Sequence, residues 1–394
     1  MSTYVDPLYV VFECDHPSLA HSTHLCHLHN EDHSSNSSEG SHIHSLITVR
    51  LNYYEILNSR FALEHTGTLE DQFKDVDDSA FSFILSSVES EDAACLSSLS
   101  SQIYVNSPYV EYPLGDHYLK DGAFSTIVRP LRRSIPSESI RYNRVVRSIT
   151  TCDGDGETLS VQCSNGISAT FDCVVVTLPL GVLKRHHKTM FPNKLLPDFK
   201  TRAIERMGFG TMEKIAMTFP VVFWDAKTEI FGFNAEMREG HVVKNGKIRH
   251  NIWFVNCVPI NKRNVLIALV TGDLEIQMRM MNSKQKENRI MDALRVMYPN
   301  SFVRPEKVLI SSWKNDPYSL GSYSNNVTKE DIKALSKSLL EGRLCFAGEA
   351  TSLNRYGTMD GAYHSGRREA KRLISLFRPD RRRDGRKKRR SSRL

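Results

Sequence analysis

Residues 344–374, LCFAGEATSLNRYGTMDGAYHSGRREAKRLI, run an apolar stretch into an acid, an aromatic-bearing loop and a Gly-rich helix start. In an α/β sheet that succession puts the acid off the carboxyl end of a strand. A helix N-terminus lies beside it, with free N–H groups that attract anionic and oxygen-rich ligands. Glu349 in such a place accepts hydrogen bonds from sugar-like hydroxyls, and Gly357 and Gly361 let the backbone approach a flat ring. The same residues also describe an ordinary strand–loop–helix with a surface glutamate, and spacing alone leaves both readings open.

A chain of 394 residues has room for two or three domains. Ile140–Ile149 and Leu159–Cys163 read as strands of a hairpin around CDGDGE, and Ala169–Leu178 ends in CVVVTL, the pattern of a strand buried on both faces. Lys214–Phe219 alternates, with Ile215, Met217 and Phe219 on one face and Lys214, Ala216 and Thr218 on the other. Asn251–Cys257 and Val265–Thr271 are predicted strands, and Ser283–Met297 an amphipathic helix. Thr328 with Asp331 opens a helix running to Leu340 and stopped by Gly342. Leu344–Ala347 is then a strand and Gly357–Phe377 a long helix with a solvated basic face. The expected fold class is α/β in the C-terminal third with mixed α+β before it.

Two segments are polar. Residues 14–44 hold eight of the fifteen histidines. His21, His24, Cys26, His27, His29 and His33 have the chemistry of transition-metal ligands, yet no hydrophobic scaffold brackets them. The expectation is a flexible low-complexity segment and no metal site. Residues 86–101, SSVESEDAACLSSLSS, read as a mobile loop or weak helix. Eight scattered cysteines without a C-x-x-C pair fit reduced, intracellular thiols. Apolar runs such as CVVV fall far short of the roughly 20 residues of a bilayer span, and the N-terminus has no basic n-region of a signal peptide.

The 344–374 segment closely resembles the C-terminal FAD signature of the flavin-dependent amine oxidase family, which includes polyamine oxidases and flavin-type histone lysine demethylases. WKNDPYSLGSY (313–323), MGFGTMEKIAMTFPVVFWD (207–225), VVVTLPLGVLK (174–184) and RYNRVVRSI (141–149) extend the resemblance, in the family's order, over about residues 109–374. It implies a two-domain fold: a Rossmann-like FAD-binding domain, here incomplete, and a substrate domain with a mixed sheet. The expected division is a His/Ser-rich segment (1–44), substrate domain (45–117 and 191–311), FAD-binding domain (118–190 and 312–377) and basic tail (378–394).

The resemblance also implies roles. Glu349 would bind ribityl or ribose hydroxyls of FAD, with Gly348 before it, and the amides of Thr358 and Met359 would face the flavin pyrimidine carbonyl. Val146 would contact adenine through its backbone, and Thr177, Leu178 and Pro179 would line the dinucleotide. Gly122, within PLGDHYLKDGAF, would allow close approach to the cofactor. Tyr323 and Tyr356 match paired aromatics that flank the amine, with Trp313 beside them, and Lys214 matches a lysine held near flavin N5 through a water. Glu111 is the candidate carboxylate for drawing in a polycationic substrate.

Two features depart from the family. No G-x-G-x-x-G phosphate-binding loop occurs in the chain, and Asp360 stands where relatives carry a neutral polar residue or His. A carboxylate near a flavin opposes its reduction, so Asp360 is expected to face away. The leading expectation is oxidation of spermine, spermidine or acetyl derivatives to an aldehyde, a shorter amine and H2O2, with O2 as oxidant. The alternatives are a histone lysine demethylase, disfavoured because the long helical insertion or partner domain of such enzymes has no room here, and an inactive, FAD-deficient relative.

Charge completes the reading. Residues 378–394 carry ten basic and two acidic residues, so of the net +7 the rest of the chain holds about −1. That removes the case for a nucleic-acid-binding domain, and no membrane partner is expected. The tail reads as a nuclear localisation patch, or, through Ser392-Arg393-Leu394, as a peroxisomal address for an import receptor; the peroxisome is the expected location.

Overall fold

The computed structural model describes residues 9–13, 46–50, 67–70, 79–107, 124–152, 158–234 and 251–377. They fall into two units, each interleaved along the chain, and one passes to the other at Gly210–Thr211 and again at Ser312–Trp313.

The first unit is built on a seven-stranded sheet. Its order is Lys307–Ile310, Glu213–Thr218, Val265–Val270, Asn251–Asn256, Ile230–Asn234, Tyr9–Glu13 and Leu46–Arg50. All neighbours are antiparallel except Tyr9–Glu13 beside Ile230–Asn234. The alternation of Lys214–Phe219 is realised: Ile215, Met217 and Phe219 are buried and Lys214 is exposed. That buried face meets Ile290 and Leu294 of the helix Ser283–Met297, whose Asn282 and Gln285 form a reciprocal capping box.

Residues 86–101 begin in a helix, one of the two expected readings, and are more buried than their composition suggests. Ser79–Asp92 is a helix, and a tight turn follows at Leu96–Ser98. Spaced among serines, Val88, Leu96 and Leu99 are buried, the Ser86 hydroxyl accepts from Trp253 Nε1 at 2.9 Å, and the Glu89 carboxylate accepts the Leu96 amide at 3.0 Å. A polar composition here hides a core segment whose polar groups are satisfied internally.

The second unit holds a parallel strand pair, Val174–Val176 beside Leu344–Phe346, and an antiparallel sheet of Val146–Thr151, Leu159–Cys163 and Ser168–Phe171. The single strand expected over Ala169–Leu178 is therefore two. It breaks at Asp172–Cys173, because Ser168–Phe171 stays exposed in the antiparallel sheet while Val174–Val176 leaves to pair with Leu344–Phe346. Leu180, Leu183, Ile204, Leu335, Leu344 and Phe346 form the core beneath.

Two lysines, Lys184 half-buried and Lys200 buried, set helix ends in this unit. Lys184 donates to the carbonyls of Ile204, Glu205 and Met207, closing the helix Asp198–Arg206. Lys200, on that helix, donates to the carbonyls of Ala334, Leu335 and Lys337, and so ends the helix Lys329–Ser336 four residues before the expected Leu340. The last helix, Met359–Phe377, starts two residues later than expected, since Gly357 adopts φ +72°.

Candidate functional site

The carboxyl ends of the two parallel strands lie side by side, the Ala347 amide donating to the Val176 carbonyl at 2.9 Å. That register brings Thr177, Leu178 and Pro179, which lead into the helix Leu180–Met190, to the same edge as Gly348 and Glu349. Gly348 adopts φ +128°, and a Cβ built on it meets nothing within 4 Å, so the backbone here borders open space. Val146 is half-buried at the start of its strand, opposite Cys163, with a register irregularity before Ser148.

The turn bearing Glu349 is clamped from the helix Met359–Phe377. The Arg368 guanidinium donates to the carbonyls of Phe346 and Thr351, at 2.8 Å each, and so holds both ends of the turn. Ser365 Oγ accepts the Gly348 amide at 2.9 Å. Arg368 is anchored in turn by the buried Glu369, which Arg372 meets at 3.2 Å. Burial, reinforced by Glu369, pushes the neighbouring Cys345 thiol up to about 12, which leaves it un-ionised and unreactive.

Glu349 Oε1 accepts the Ser324 amide at 3.2 Å, and Oε2 accepts both the Ser324 hydroxyl and the Gly357 amide. Desolvation raises the pKa of this carboxyl, and the three hydrogen bonds oppose the rise. A carboxylate offers about four acceptor sites, so one remains for an outside hydroxyl.

Ser324 follows Tyr323, and Gly357 follows Tyr356. A Cβ on Gly357 would come 3.7 Å from the Tyr323 ring and 3.5 Å from the Ser324 carbonyl. The Tyr323 carbonyl accepts the Gly210 amide at 2.9 Å, and Ser324–Asn325 pairs with Gly208–Phe209. Gly208 is required there, since a Cβ would fall 1.9 Å from Asn325 Oδ1 and 2.7 Å from the Asn325 carbonyl oxygen. The Tyr356 hydroxyl lies 2.7 Å from Ser107 Oγ. Trp313 is half-exposed, and its carbonyl accepts the Gly321 amide at 3.1 Å, closing the loop that leads to Tyr323.

At the start of the helix Met359–Phe377, Thr358 Oγ1 accepts the Gly361 amide at 3.1 Å, while the amides of Thr358 and Met359 find no acceptor among the described residues. Asp360 pairs with Arg355, which neutralises its charge.

Lys214 belongs to the first unit. Its ammonium is exposed, and its amide donates to Ser311 Oγ at 2.7 Å, a hydroxyl that itself donates to the buried Glu213 carboxylate. Glu111, Gly122, the His-rich segment and the basic tail lie outside the described residues. Among the described residues no cluster of His, Cys, Asp or Glu could hold a metal, six cysteines are free, and no helix is long and apolar enough to cross a membrane.

Ser107, Ser324 and Arg368 escaped the sequence reading. Only Arg368 left a trace: it sits three residues after Ser365, hence on the same helix face. The two serines bond residues distant in sequence or occupy a pattern too common to single out.

Residues 45–374 match the family described as flavin containing amine oxidoreductase. Protein FLOWERING LOCUS D of Arabidopsis thaliana is 32% identical over 74% of this chain and 35% of its own length. Lysine-specific histone demethylase 1 homolog 2 of the same plant is 32% identical over 75% of this chain and 38% of its own length. Lysine-specific histone demethylase 1B of Mus musculus is 30% identical over 77% and 36%. The chain thus spans a little over a third of the length of these relatives. Among solved structures, cyclohexylamine oxidase from Brevibacterium oxydans IH-35A shares the fold, with a TM-score of 0.59 over 80% of this chain and 69% of that one at 14% identity.

Proposed function

This chain belongs to the flavin containing amine oxidoreductase family, and on that premise we propose that it oxidatively removes methyl groups from N-methylated lysine side chains. The observation that carries this reading is the likeness to lysine-specific histone demethylases over three quarters of the chain. Polyamine oxidation, the leading expectation from sequence, has no counterpart among those relatives, and the demethylase alternative displaces it. Since the chain spans little more than a third of them, segments they carry elsewhere do not decide between the substrates.

The family's cofactor is FAD, and the residues present fit it: a remaining acceptor site on Glu349, open space at Gly348 and two amides at a helix N-terminus that find no acceptor among the described residues suit a polyhydroxyl chain and a ring carbonyl. When bound, FAD would supply the two-electron acceptor for hydride from the carbon beside the amine nitrogen, with O2 as the final oxidant giving H2O2. The remaining work falls to side chains. Gly348 and Glu349 would hold ribityl or ribose hydroxyls, and Val146 with Thr177, Leu178 and Pro179 the adenosine and pyrophosphate. The Thr358 and Met359 amides would face the pyrimidine carbonyl, where the helix dipole favours negative charge. The rings of Tyr323 and Tyr356, with Trp313 beside them, would flank the methylammonium, and by the family resemblance Lys214 would be held near flavin N5 through a water. Water adding to the substrate imine then releases formaldehyde.

The test is a dimethyl-lysine histone peptide incubated with the FAD-loaded chain, followed by mass spectrometry and a formaldehyde assay, with spermine in parallel. The expected result is stepwise methyl loss and formaldehyde from the peptide. Spermine turnover with a silent peptide overturns the reading. A histone substrate places the protein in the nucleus, in place of the peroxisome, with the basic tail as its address. A fluorescent protein fused to the C-terminus should leave it nuclear, and punctate cytoplasmic signal would refute this.

A further inference from the structure

We infer that Glu349 is a positioning residue that fixes the spacing of Tyr323 and Tyr356 by bonding the residue that follows each, and thereby sets the width of the slot for a methylated ammonium. The inference rests on the reading of those tyrosines as amine-facing.

Three of the carboxylate's acceptor sites are committed to this tie: two on Ser324, through its amide and hydroxyl, and one on the Gly357 amide. Gly357 is held at φ +72° against the Tyr323 ring, so the backbone leaving Tyr356 abuts the other tyrosine directly. Each tyrosine is fixed at a second point as well. The Tyr323 carbonyl is bonded to Gly210 and the Tyr356 hydroxyl to Ser107, so the carboxylate joins two segments that are each anchored elsewhere. The Arg368 clamp on Phe346 and Thr351 holds the carboxylate itself in place. A cation between two ring faces gains only within about 6 Å of each centroid, so a change in ring spacing acts on binding of the ammonium before it acts on the cofactor.

Three variants test this in the FAD-loaded chain labelled with 3-fluorotyrosine, with the resonances of residues 323 and 356 assigned by Tyr323→Phe and Tyr356→Phe. Ser324→Ala removes one bond of the tie, Glu349→Asp shortens its reach, and Ser324→Thr keeps the hydroxyl. Binding is read with a trimethyl-lysine histone peptide, whose quaternary nitrogen has no lone pair to form an imine and so binds without turnover. The expected result is that Ser324→Ala and Glu349→Asp shift both fluorine resonances and weaken peptide binding about tenfold, the size of one hydrogen bond to a charged group. Ser324→Ala should change FAD affinity less than about twofold, and Ser324→Thr should restore peptide binding. If Ser324→Ala leaves the Tyr356 resonance in place, or weakens FAD as much as peptide, the tie is refuted, whether or not Glu349→Asp folds. Coupled shifts in a chain that demethylates nothing would uphold the tie and sink only the substrate reading.

Discussion

Lys200→Met separates two physical effects that act on one buried amine. Lys200 is fully buried, with Nζ at 2.9, 2.6 and 2.7 Å from the carbonyls of Ala334, Leu335 and Lys337 and 3.8 Å from the centroid of the Phe346 ring. Burial pushes its pKa down to about 7, with Glu369 opposing. In the unfolded chain a lysine titrates near 10.4. Between those values the unfolded chain holds a proton that the folded chain has released, so stability rises with pH by about 1.4 kcal/mol per unit. The contribution is full above the unfolded pKa and is lost as pH falls towards the folded one. Methionine cannot titrate, and every other ionisable group is common to both chains. The stability of the wild type relative to Lys200→Met, from urea unfolding followed by circular dichroism, should therefore increase by about 2–3 kcal/mol between about pH 7.5 and about pH 9.5. A difference that stays flat across this window would mean that the three carbonyls keep the ammonium charged, and would refute the dominance of burial.

Lys214→Met should slow flavin reduction by a methylated peptide by at least about a hundredfold, the scale of a positioned proton-transfer group, with little change in circular dichroism; an unchanged stopped-flow rate would refute its role. Arg368→Met strips the donors from the Phe346 and Thr351 carbonyls and leaves Glu369 with one arginine, Arg372, so it should cost about 3–5 kcal/mol in cofactor-free unfolding and weaken FAD in a fluorescence titration. Full FAD affinity in that variant would show that the turn stands without the clamp. Gly208→Ala drives a methyl into Asn325 and should destabilise by about 1–3 kcal/mol, with the loss confined to the second unit by hydrogen exchange at Tyr323–Asn325.

What could be foreseen of the fold followed the reach of each signal. Lys214–Phe219 and Ser283–Met297 were legible because period-2 alternation and helical amphipathicity are local, and local physics decides them. The helix Lys329–Ser336 was legible at its start, where Thr328 Oγ1 accepts the Asp331 amide at 3.1 Å, but not at its end. Its terminus is chosen by Lys200, more than a hundred residues away in sequence, and no pattern around Leu340 records that. Ala169–Leu178 misled for a related reason. A β-branched run shows that a strand forms without showing which sheet claims it, and here two sheets divide the run at Asp172–Cys173.

The candidate site divides along the same line. Glu349, Tyr323 and Tyr356 stand out because their chemistry is conspicuous: an acid after a strand, and aromatics in matched motifs. Ser324 and Ser107 do not, although each bonds a conspicuous residue, because a serine is informative only through its partner and those partners lie 25 and 249 residues away. The consequence reaches beyond this chain's legibility. From sequence, Glu349 looks like a group directed outward at sugar hydroxyls, whereas most of its acceptor capacity is spent inward on the two tyrosine segments. A substitution at Ser324 that looks neutral by composition would thus act on the amine slot through Glu349. One at Gly357 would act through the backbone, since φ +72° strains an L side chain there although a Cβ would meet the Ser324 carbonyl and the Tyr323 ring only at ordinary contact distances of 3.5 and 3.7 Å. On the proposed reading, the chemistry of the site falls to a few recognisable residues and its dimensions to unremarkable ones.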